Sequence, residues 1–242
     1  MEDIKKYLEG TKGIIFDYGG TIDTGGEHWS WVIRRAWQQA GVEVALPTFR
    51  DAYVHAEREL ARTRHILPEH DFHDLLRIKI NIELQWLAGQ GEFPPQDVEA
   101  KAAEIADICN AEAAAHVKAA APVLEALSEH FPLVLVSNFY GNISKVLEEF
   151  GVLNYFKKIV ESAVVGVRKP DPKIFSLGVE ALGLRPEETL VVGDSYSKDI
   201  VPAGEAGCRA VWIKGPGWTG EEDAREYPYT IKNLQELTKF LV

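Results

Sequence analysis

Polar side chains that could do chemistry follow short apolar runs at four places in the chain. They are Asp17, the pair Ser137 and Asn138, Lys169, and the acidic pair Asp194 and Asp199. A carboxylate can act as a nucleophile or bind a hard cation, and a lysine amine can hold an anion. Brought together, these residue types would act on an anionic substrate. Each has a simpler interpretation alone, because an Asp after a strand is often a turn residue or a helix cap.

The apolar runs predict the elements that position these groups. Ile14, Ile15 and Phe16 make a short buried strand. Gly19 and Gly20 favour a loop where that strand ends. Further strands are expected at 133–137, near 158–162, at 189–193 and at 209–213, with helices between them. Alternating strands and helices predict a parallel sheet with right-handed crossovers. The polar groups would then meet at its carboxyl edge.

In these motifs the chain resembles the haloacid dehalogenase (HAD) superfamily. The resemblance covers residues 12–24 and 121–215, and it includes Phe-Asp-Tyr-Gly-Gly-Thr at 16–21 and Gly-Asp-Ser at 193–195. It implies an α/β fold of the Rossmann-like, doubly wound type, with a parallel sheet in the strand order 5-4-1-2-3. It also implies an inserted all-helical cap, as in the C1-cap phosphatase-like branch of the superfamily.

The resemblance assigns a role to each motif residue. Asp17 would be the nucleophile, and Mg²⁺ would be bound by Asp17, Asp194 and the backbone carbonyl of Gly19. Asp199 would orient the water around the metal. Ser137 and Lys169 would stabilise developing charge. The residues expected to contact substrate are Gly20, Thr21, Ser137, Asn138, Lys169 and His28, the first two through backbone amides. The alternative for the two acids is a helix N-terminal pair favoured by the dipole.

One position departs from the family pattern Asp-x-Asp-Gly-Thr, because Gly19 replaces the second aspartate. In the family that aspartate protonates the leaving oxygen, and such a group contributes roughly 10²–10⁴-fold to the rate. The sequence therefore predicts a Mg²⁺-dependent hydrolase, a phosphatase for a small phosphorylated metabolite, with impaired leaving-group protonation. The alternative is a catalytically weak or inactive protein that binds phosphate or a metabolite.

Two branches of the superfamily that lack the second aspartate are more distant alternatives. The dehalogenases have an aromatic residue there and lose the second acidic cluster, whereas this chain keeps Asp194 and Asp199. Phosphonoacetaldehyde hydrolase has alanine there, and its Phe-Asp-Trp-Ala-Gly-Thr is similar to the motif at 16–21. That enzyme needs a Schiff-base lysine in the front of its cap, and this chain has no lysine between Lys12 and Lys79.

Residues 24–120 are predicted to form the helical cap, and residues 1–23 and 121–242 to form the core domain. The apolar stripe that begins at Trp29 predicts the first cap helix, which Gly41 would end. Further helices are expected at 49–65, 71–88 and 95–120. Pro122 is expected to begin a separate helix over 123–130. Hinges at 21–26 and 116–121 would let the cap open and close.

Other polar residues of the predicted cap have two interpretations each. His28 and Glu27 would lie over the pocket and replace the missing acid, or they are first-turn residues on a solvated face. His70 and His73 have the spacing of metal ligands, or they belong to an exposed helix start. Five arginines are candidates for contact with the substrate: Arg34, Arg35, Arg58, Arg62 and Arg64.

Composition narrows the possible partners. The 242 residues are 46% hydrophobic, which is enough for a large core, and the net charge is −11. Without a cluster of basic residues, nucleic acid is not an expected partner. Cys109 and Cys208 lack metal-ligand spacing and indicate a reducing compartment. No apolar run of about 18 residues occurs. We therefore expect a soluble, cytoplasmic protein without membrane partners, either a monomer or a weak homodimer.

Overall fold

The computed structural model describes residues 2–242, and a six-stranded parallel sheet forms its centre. The strands are β1 (Gly13–Phe16), β2 (Leu133–Ser137), β3 (Phe156–Glu161), β4 (Thr189–Gly193), β5 (Arg209–Ile213) and β6 (Thr230–Ile231). Their spatial order is β3-β2-β1-β4-β5-β6, and neighbouring strands pair in parallel. The predicted order 5-4-1-2-3 is therefore confirmed, and β6 extends the sheet beside β5.

Helices cover both faces of the sheet and fill the segment between β1 and β2. They are α1 (Glu2–Leu8), α2 (Trp29–Gln39), α3 (Leu46–Arg62), α4 (Phe72–Gly89), α5 (Val98–Ser128), α6 (Ile143–Glu149), α7 (Ser162–Val165), α8 (Lys173–Leu182), α9 (Val201–Glu205), α10 (Gly220–Ala224) and α11 (Gln235–Leu241). Short 3-10 turns at 95–97, 153–155 and 186–188 precede three of the elements. Among the described residues, no helix is both long enough and apolar enough to cross a membrane.

The central strands β1, β2 and β4 are buried along their whole length, because helices lie on both faces of the sheet. Successive side chains of β1 enter different cores, with Ile14 and Phe16 in one and Ile15 in the other. Phe16 pairs with Leu135 on β2 and with Val192 on β4. The residues that follow these three strands therefore emerge side by side at the carboxyl edge.

The segment between β1 and β2 contains only helices and turns, as its periodicity predicts. On α2 the buried stripe includes Val32, Ile33 and Trp37. Gly41 follows this helix with a φ of +77°, a conformation that glycine adopts without strain. Most buried residues of these helices join the core that contains Phe16, so one continuous core runs from the sheet into the insert, while Leu60 and Leu75 belong to a smaller cluster. The division into a cap of residues 24–120 and a separate core stays a prediction.

The structure corrects the prediction at Pro122, which lies inside α5 and does not begin a new helix. The apolar stripe explains why the helix continues, since Val117, Ala120 and Leu124 are buried at spacings of three and four residues. This packing outweighs the roughly 3 kcal/mol that proline costs in a helix interior. The predicted hinge at 116–121 therefore falls within one continuous helix.

Two helices near the site begin in unusual ways. Helix α8 begins at Lys173 with Pro172 as its N-cap, and Asp171 Oδ1 accepts a hydrogen bond from Lys173 N at 2.9 Å. The segment between β4 and β5 begins with a π-helical turn, Tyr196–Ile200, which the short α9 follows. The wider turn draws residue 199 back toward the end of β4, where Ser195 N donates to its carboxylate at 3.0 Å.

Candidate active site

The carboxyl ends of β1, β2 and β4 open onto a large cavity that the inserted helices cover. Asp17 follows β1, Ser137 ends β2, and Asp194 follows β4. Lys169 reaches the same place from the loop before α8. All four residues line the cavity, which has a volume of about 1160 Å³. The structure thus gathers the polar groups that the sequence predicts at one edge of the sheet.

Lys169 lies at the centre of this group. Its Nζ donates hydrogen bonds to Asp17 Oδ1 at 2.5 Å and to Asp199 Oδ1 at 2.7 Å, and its side chain is buried. Burial alone would lower the pKa of Lys169, but the two carboxylates raise it well above its usual range. The lysine is therefore a fixed positive charge beside the predicted nucleophile.

Asn138 fixes the loop that carries this lysine. Its Oδ1 accepts a hydrogen bond from Lys169 N at 2.9 Å, and its Nδ2 donates to the Lys169 carbonyl oxygen at 3.0 Å. The two bonds tie that loop to the end of β2. The amide of Asn138 is thus occupied by backbone groups, so Asn138 positions Lys169, and its predicted contact with substrate stays a prediction.

Three carboxylates meet at the same edge. Asp17, Asp194 and Asp199 each place an oxygen within 4.8 Å of the other two. Burial raises the pKa of Asp194 well above its usual range, and the neighbouring Asp199 and Asp17 raise it further. Because one lysine does not balance three acids, negative charge remains at a place where water is scarce. This donor set fits a hard divalent cation such as Mg²⁺, which takes carboxylate and carbonyl oxygens.

Two glycines let the acids approach the backbone. Gly20 has a φ of +93°, and a Cβ there would lie 2.3 Å from Asp194 Oδ2. A Cβ at Gly193 would lie 2.4 Å from the Cβ of Asp199. Both distances are shorter than any real contact between such atoms, so a side chain at either position would displace the acid.

Gly19 differs from these two glycines, because a side chain would fit there. A Cβ at this position would meet only Trp29 Cδ1, at 4.0 Å, which is an ordinary van der Waals distance. Its φ also lies outside the left-handed region that favours glycine. The backbone therefore leaves the space for the missing aspartate open.

The backbone amides near Asp17 differ from the prediction. Gly20 N donates to Asp23 Oδ1 at 2.7 Å, and Thr21 N donates to the Tyr18 carbonyl oxygen at 3.1 Å. Both amides that were expected to hold phosphoryl oxygens are thus already bonded within the loop. By contrast, the amides of Tyr18 and Gly19 have no acceptor among the described residues. Those two amides are the donors that the loop leaves for a ligand.

A model of the haloacid dehalogenase-like hydrolase family matches residues 11–207 of this chain. The chain belongs to that family. The matched range contains every residue of the site described above, and the predicted family and fold are confirmed.

Named relatives match shorter parts of this hydrolase. A glyceraldehyde 3-phosphate phosphatase of Methanocaldococcus jannaschii is 38% identical over 91 residues, which are 38% of this chain and 40% of that protein. A phosphoserine phosphatase of Thermus thermophilus is 36% identical over 97 residues, 40% of this chain and 39% of that one. The chain thus spans about two fifths of the length of these relatives. The crystal structure of a HAD phosphatase from Thermococcus onnurineus covers 96% of this chain and 98% of its own, with 24% identity and a TM-score of 0.51, which shows a shared fold.

Asp23 is a residue of the hydrolase's site that the sequence did not identify. Its carboxyl group is fully buried, accepts from Gly20 N, and accepts from Trp29 Nε1 at 3.0 Å. Burial raises its pKa to about 8. In the sequence, Asp23 belongs to a loop of small and acidic residues, and nothing in that pattern shows that its side chain folds back on Gly20.

The structure does not support His28 or Glu27 as a replacement acid. His28 lines the cavity, but its Nδ1 accepts a hydrogen bond from Ser30 N at 3.2 Å and so caps α2. Burial lowers the pKa of His28 to about 3, so the ring is neutral at pH 7 and has no extra proton to give. Glu27 Oε2 accepts from Arg35 Nη2 at 2.8 Å, and Glu27 is absent from the cavity wall.

The other cap candidates separate into two groups. His73 Nε2 pairs with Asp107 Oδ1 at 2.8 Å, and Asp71 Oδ1 caps α4 through Asp74 N at 2.8 Å, which agrees with an exposed helix start. Of the five arginines, three line the cavity: Arg58, Arg62 and Arg64. Cavity residues that the sequence did not identify include Tyr53, Glu57, Lys79, Tyr140 and Trp218.

Proposed function

We propose that this hydrolase removes the phosphoryl group of a small phosphorylated metabolite by way of an aspartyl phosphate on Asp17. The observation that carries the proposal is the placement of Lys169, whose ammonium bridges Asp17 and Asp199 in a cavity beside a third acid. A carboxylate held next to a fixed cation suits attack on a phosphoryl group, which is itself an anion. The phosphatase names of the relatives support the same chemistry.

The first step joins a carboxylate oxygen of Asp17 to phosphorus and breaks the bond to the leaving oxygen. Lys169, the Ser137 hydroxyl and the amides of Tyr18 and Gly19 would hold the phosphoryl oxygens while charge develops on them. In the second step, water attacks the phosphorus and Asp17 leaves as a carboxylate. Asp17, Asp194 and the Gly19 carbonyl would hold Mg²⁺, with Asp199 orienting its water. When bound, Mg²⁺ would screen the charge between Asp17 and the incoming anion.

Gly19 restricts the leaving groups that this site can expel. An alkoxide is a strong base and must be protonated as it departs, whereas an acyl or aryl oxygen leaves without a proton. His28 has no extra proton to give at pH 7. Asp23 keeps its proton there because burial raises its pKa to about 8, but Gly20 N and Trp29 Nε1 are hydrogen-bonded to its two oxygens, so neither side chain is placed to serve the leaving oxygen. We therefore expect turnover of acyl and aryl phosphates and very slow turnover of alkyl phosphates.

The second candidate function is binding of a phosphorylated metabolite with little turnover. The absence of an acidic side chain at Gly19 favours this function. The phosphonate-hydrolase alternative requires a lysine that forms a Schiff base, and Lys79 of the insert does line the cavity. The neighbouring Glu57, however, keeps this amine protonated. Burial would lower the pKa of Lys79, yet Glu57 raises it well above its usual range, so the amine stays protonated. A protonated amine cannot form a Schiff base. The cytoplasmic location and the monomeric or weakly dimeric state stay predictions.

The test compares phosphate release from an aryl phosphate, an acyl phosphate and an alkyl phosphate, with and without Mg²⁺. Wild-type protein should cleave the first two with Mg²⁺ and release a burst of the phenol or the carboxylate as phosphorylated Asp17 accumulates. Asp17→Asn should remove both the burst and the turnover. If no ester is cleaved while phosphate and Mg²⁺ still bind, the binding protein is the correct function.

A further inference from the structure

The part of the cavity wall built by the inserted helices carries a second charged pair, which the chemistry at Asp17 does not use. Glu57 lies on α3 and Lys79 lies on α4, and both line the cavity that contains Asp17. Lys79 Nζ donates a hydrogen bond to Glu57 Oε1 and lies 4.4 Å from the ring centroid of Tyr53. The pair is therefore fixed in place on the substrate's side of the insert.

The two charges face the cavity differently. The side chain of Lys79 is 7% exposed, while that of Glu57 is 39% exposed. Glu57 lies deep in the molecule, yet its carboxylate stays open to the cavity. Burial opposes its ionisation, but Lys79 lowers the pKa of Glu57 below its usual range. Glu57 is thus an ionised acceptor that the cavity can reach.

The hydrogen-bonding capacity of Glu57 is only partly used. An ionised carboxylate can accept about four hydrogen bonds, and Lys79 supplies one. The Tyr140 hydroxyl adds long contacts of 3.5 Å to both oxygens. Other titratable groups that act on Glu57 include Lys198, Glu83, Tyr53 and the neutral His28, and none of the four is hydrogen-bonded to it. Acceptor sites therefore remain for a ligand.

Stability does not account for this pair. A buried ion pair is often no more stabilising than apolar side chains of similar volume, because desolvation offsets the attraction. The cavity is also much larger than a phosphoryl group requires. Pockets that hold whole small-molecule ligands have volumes of about 300–1,000 Å³. At 1160 Å³ it has room for an organic group that extends from Asp17 toward the insert.

We propose that Glu57, held in place by Lys79, recognises the leaving group of the substrate, and that this group carries a hydroxyl or ammonium hydrogen-bond donor. The inference rests on the phosphatase function proposed above and specifies its substrate class. Glu57 accepts the donor's proton in a hydrogen bond, and Lys79 keeps the carboxylate ionised and oriented. No covalent step involves either residue.

Three aryl phosphates with nearly the same leaving oxygen test this subsite. They are the 4-ethyl, 4-(2-hydroxyethyl) and 4-(2-aminoethyl) derivatives of phenyl phosphate, which differ only in the donor at the far end. For wild-type protein, kcat/KM should be on the order of 10-fold higher for both donor-bearing substrates than for the ethyl one, which corresponds to one hydrogen bond to a charged acceptor.

Variants then assign the preference to Glu57. Glu57→Gln should abolish the advantage of the ammonium substrate, because the charge is gone, and keep much of the hydroxyl advantage, because the amide oxygen still accepts. The paired change Glu57→Leu with Lys79→Met removes both advantages without leaving a buried charge unpaired. Glu59→Gln is the matched control, because Glu59 lies on the same helix but pairs with Arg62 and His65. Glu59→Gln should cleave all three substrates with the wild-type rates and the wild-type preference.

Two results would overturn the proposal. One is a wild-type enzyme that cleaves all three aryl phosphates without preference. The other is a preference that survives in Glu57→Gln and in the paired variant as it does in Glu59→Gln. If the wild type cleaves none of the three, the proposed function is wrong. The proposed role of Glu57 is then tested by measuring unfolding temperatures with the matching 4-substituted phenylphosphonates. The compounds that carry a donor must stabilise the wild type more than they stabilise Glu57→Gln.

Discussion

At position 19, a single missing side chain separates this site from one that can protonate its leaving group. Because a Cβ there meets only Trp29, Gly19→Asp should fold and restore the acid. We expect it to raise turnover of glycerol phosphate by roughly 10²–10⁴-fold and to change turnover of 4-nitrophenyl phosphate far less. Phosphate release from the two esters, measured side by side, checks this.

Gly20→Ala is the matched control for that substitution. Its Cβ would lie 2.3 Å from Asp194 Oδ2, so it should lower turnover of both esters together. A different result would count against the prediction: wild-type protein that cleaves alkyl and aryl esters equally fast, with no change in Gly19→Asp. Another residue would then protonate the leaving oxygen.

Glu83 on α4 gives a prediction for the pH dependence of stability. It is fully buried, and burial raises its pKa to about 8, with Lys79 and the nearby Trp37 lowering it only in part. The folded pKa is above the usual value of 4.5. The contribution of Glu83 to folding stability is therefore greatest at low pH and is lost as the pH rises toward 8.

Glu83→Gln removes this titration. Denaturant midpoints at pH 5 and pH 8 should show that the wild type loses more stability over this range than the variant, by about 1–3 kcal/mol. Glu59→Gln, which changes an exposed ion pair, should leave the wild-type slope intact. Parallel slopes for wild type and Glu83→Gln would mean that the carboxyl group is ionised or bonded in the folded protein.

These residues also show what can be read from the sequence at this scale. Asp17, Lys169 and Asp194 were predicted because each sits in a local motif after an apolar run. Glu57 and Asp23 were not, because their roles depend on contacts that α3, α4 and the first loop make only after folding. Local spacing reveals the groups at strand ends, but it does not reveal which face of a cap helix meets the cavity.

At the scale of elements, α5 contains the clearest conflict between local preference and packing. Pro122 lies in the helix interior, and its ring is exposed, so it gains little from burial. Pro122→Ala should therefore restore a backbone hydrogen bond and raise the stability by roughly 1–3 kcal/mol, after allowing for the greater freedom of the unfolded chain. Thermal unfolding of the full chain measures the change.

Pro47→Ala is the control, because Pro47 lies in the first turn of α3, where a missing amide costs nothing. It should leave the unfolding temperature unchanged or lower it slightly. If Pro122→Ala is no more stable than Pro47→Ala, α5 does not carry the strain that a proline in its interior implies.

Helices and strands were predicted correctly where the spacing of apolar residues stayed regular along the whole element. The strands at 133–137, 189–193 and 209–213 have the predicted bounds, because short apolar runs between turn residues leave little choice. The prediction at Pro122 was wrong because proline is also common at the start of a helix. The buried apolar stripe that continues on both sides of Pro122 shows that the helix does not begin there. The π-helical turn after β4 was not predicted. Within it, Asp199 Oδ1 accepts a hydrogen bond from Lys169 Nζ, and a contact between residues 30 positions apart is not encoded in local sequence.

For the whole molecule, the acidic cluster predicts a link between metal and folding. A cation that binds Asp17, Asp194 and the Gly19 carbonyl only in the folded state stabilises the protein by mass action. At a cation concentration of a hundred times its Kd, the free energy of unfolding rises by about 2.7 kcal/mol, and the unfolding midpoint rises with it. Asp194→Asn should remove most of that gain. Asp74→Asn, in the acidic group at the start of α4, should keep it. An unchanged midpoint at saturating Mg²⁺ would exclude the site.

Because α5 is one continuous helix, a bend near one end displaces the other end. Its last turn precedes β2 in the chain, and its buried residues join the core that contains Phe16, while its first turns belong to the inserted helices. At about 1.5 Å per residue, a bend of about 10° at Pro122 would carry the far end roughly 6 Å. Helix α4 packs along α5 and carries Leu75, Leu76 and Lys79 of the cavity wall, so such a bend would displace that wall. The size of molecule admitted to Asp17 would then depend on the stiffness of one turn, so a proline that weakens the helix would also widen the range of substrates that can enter.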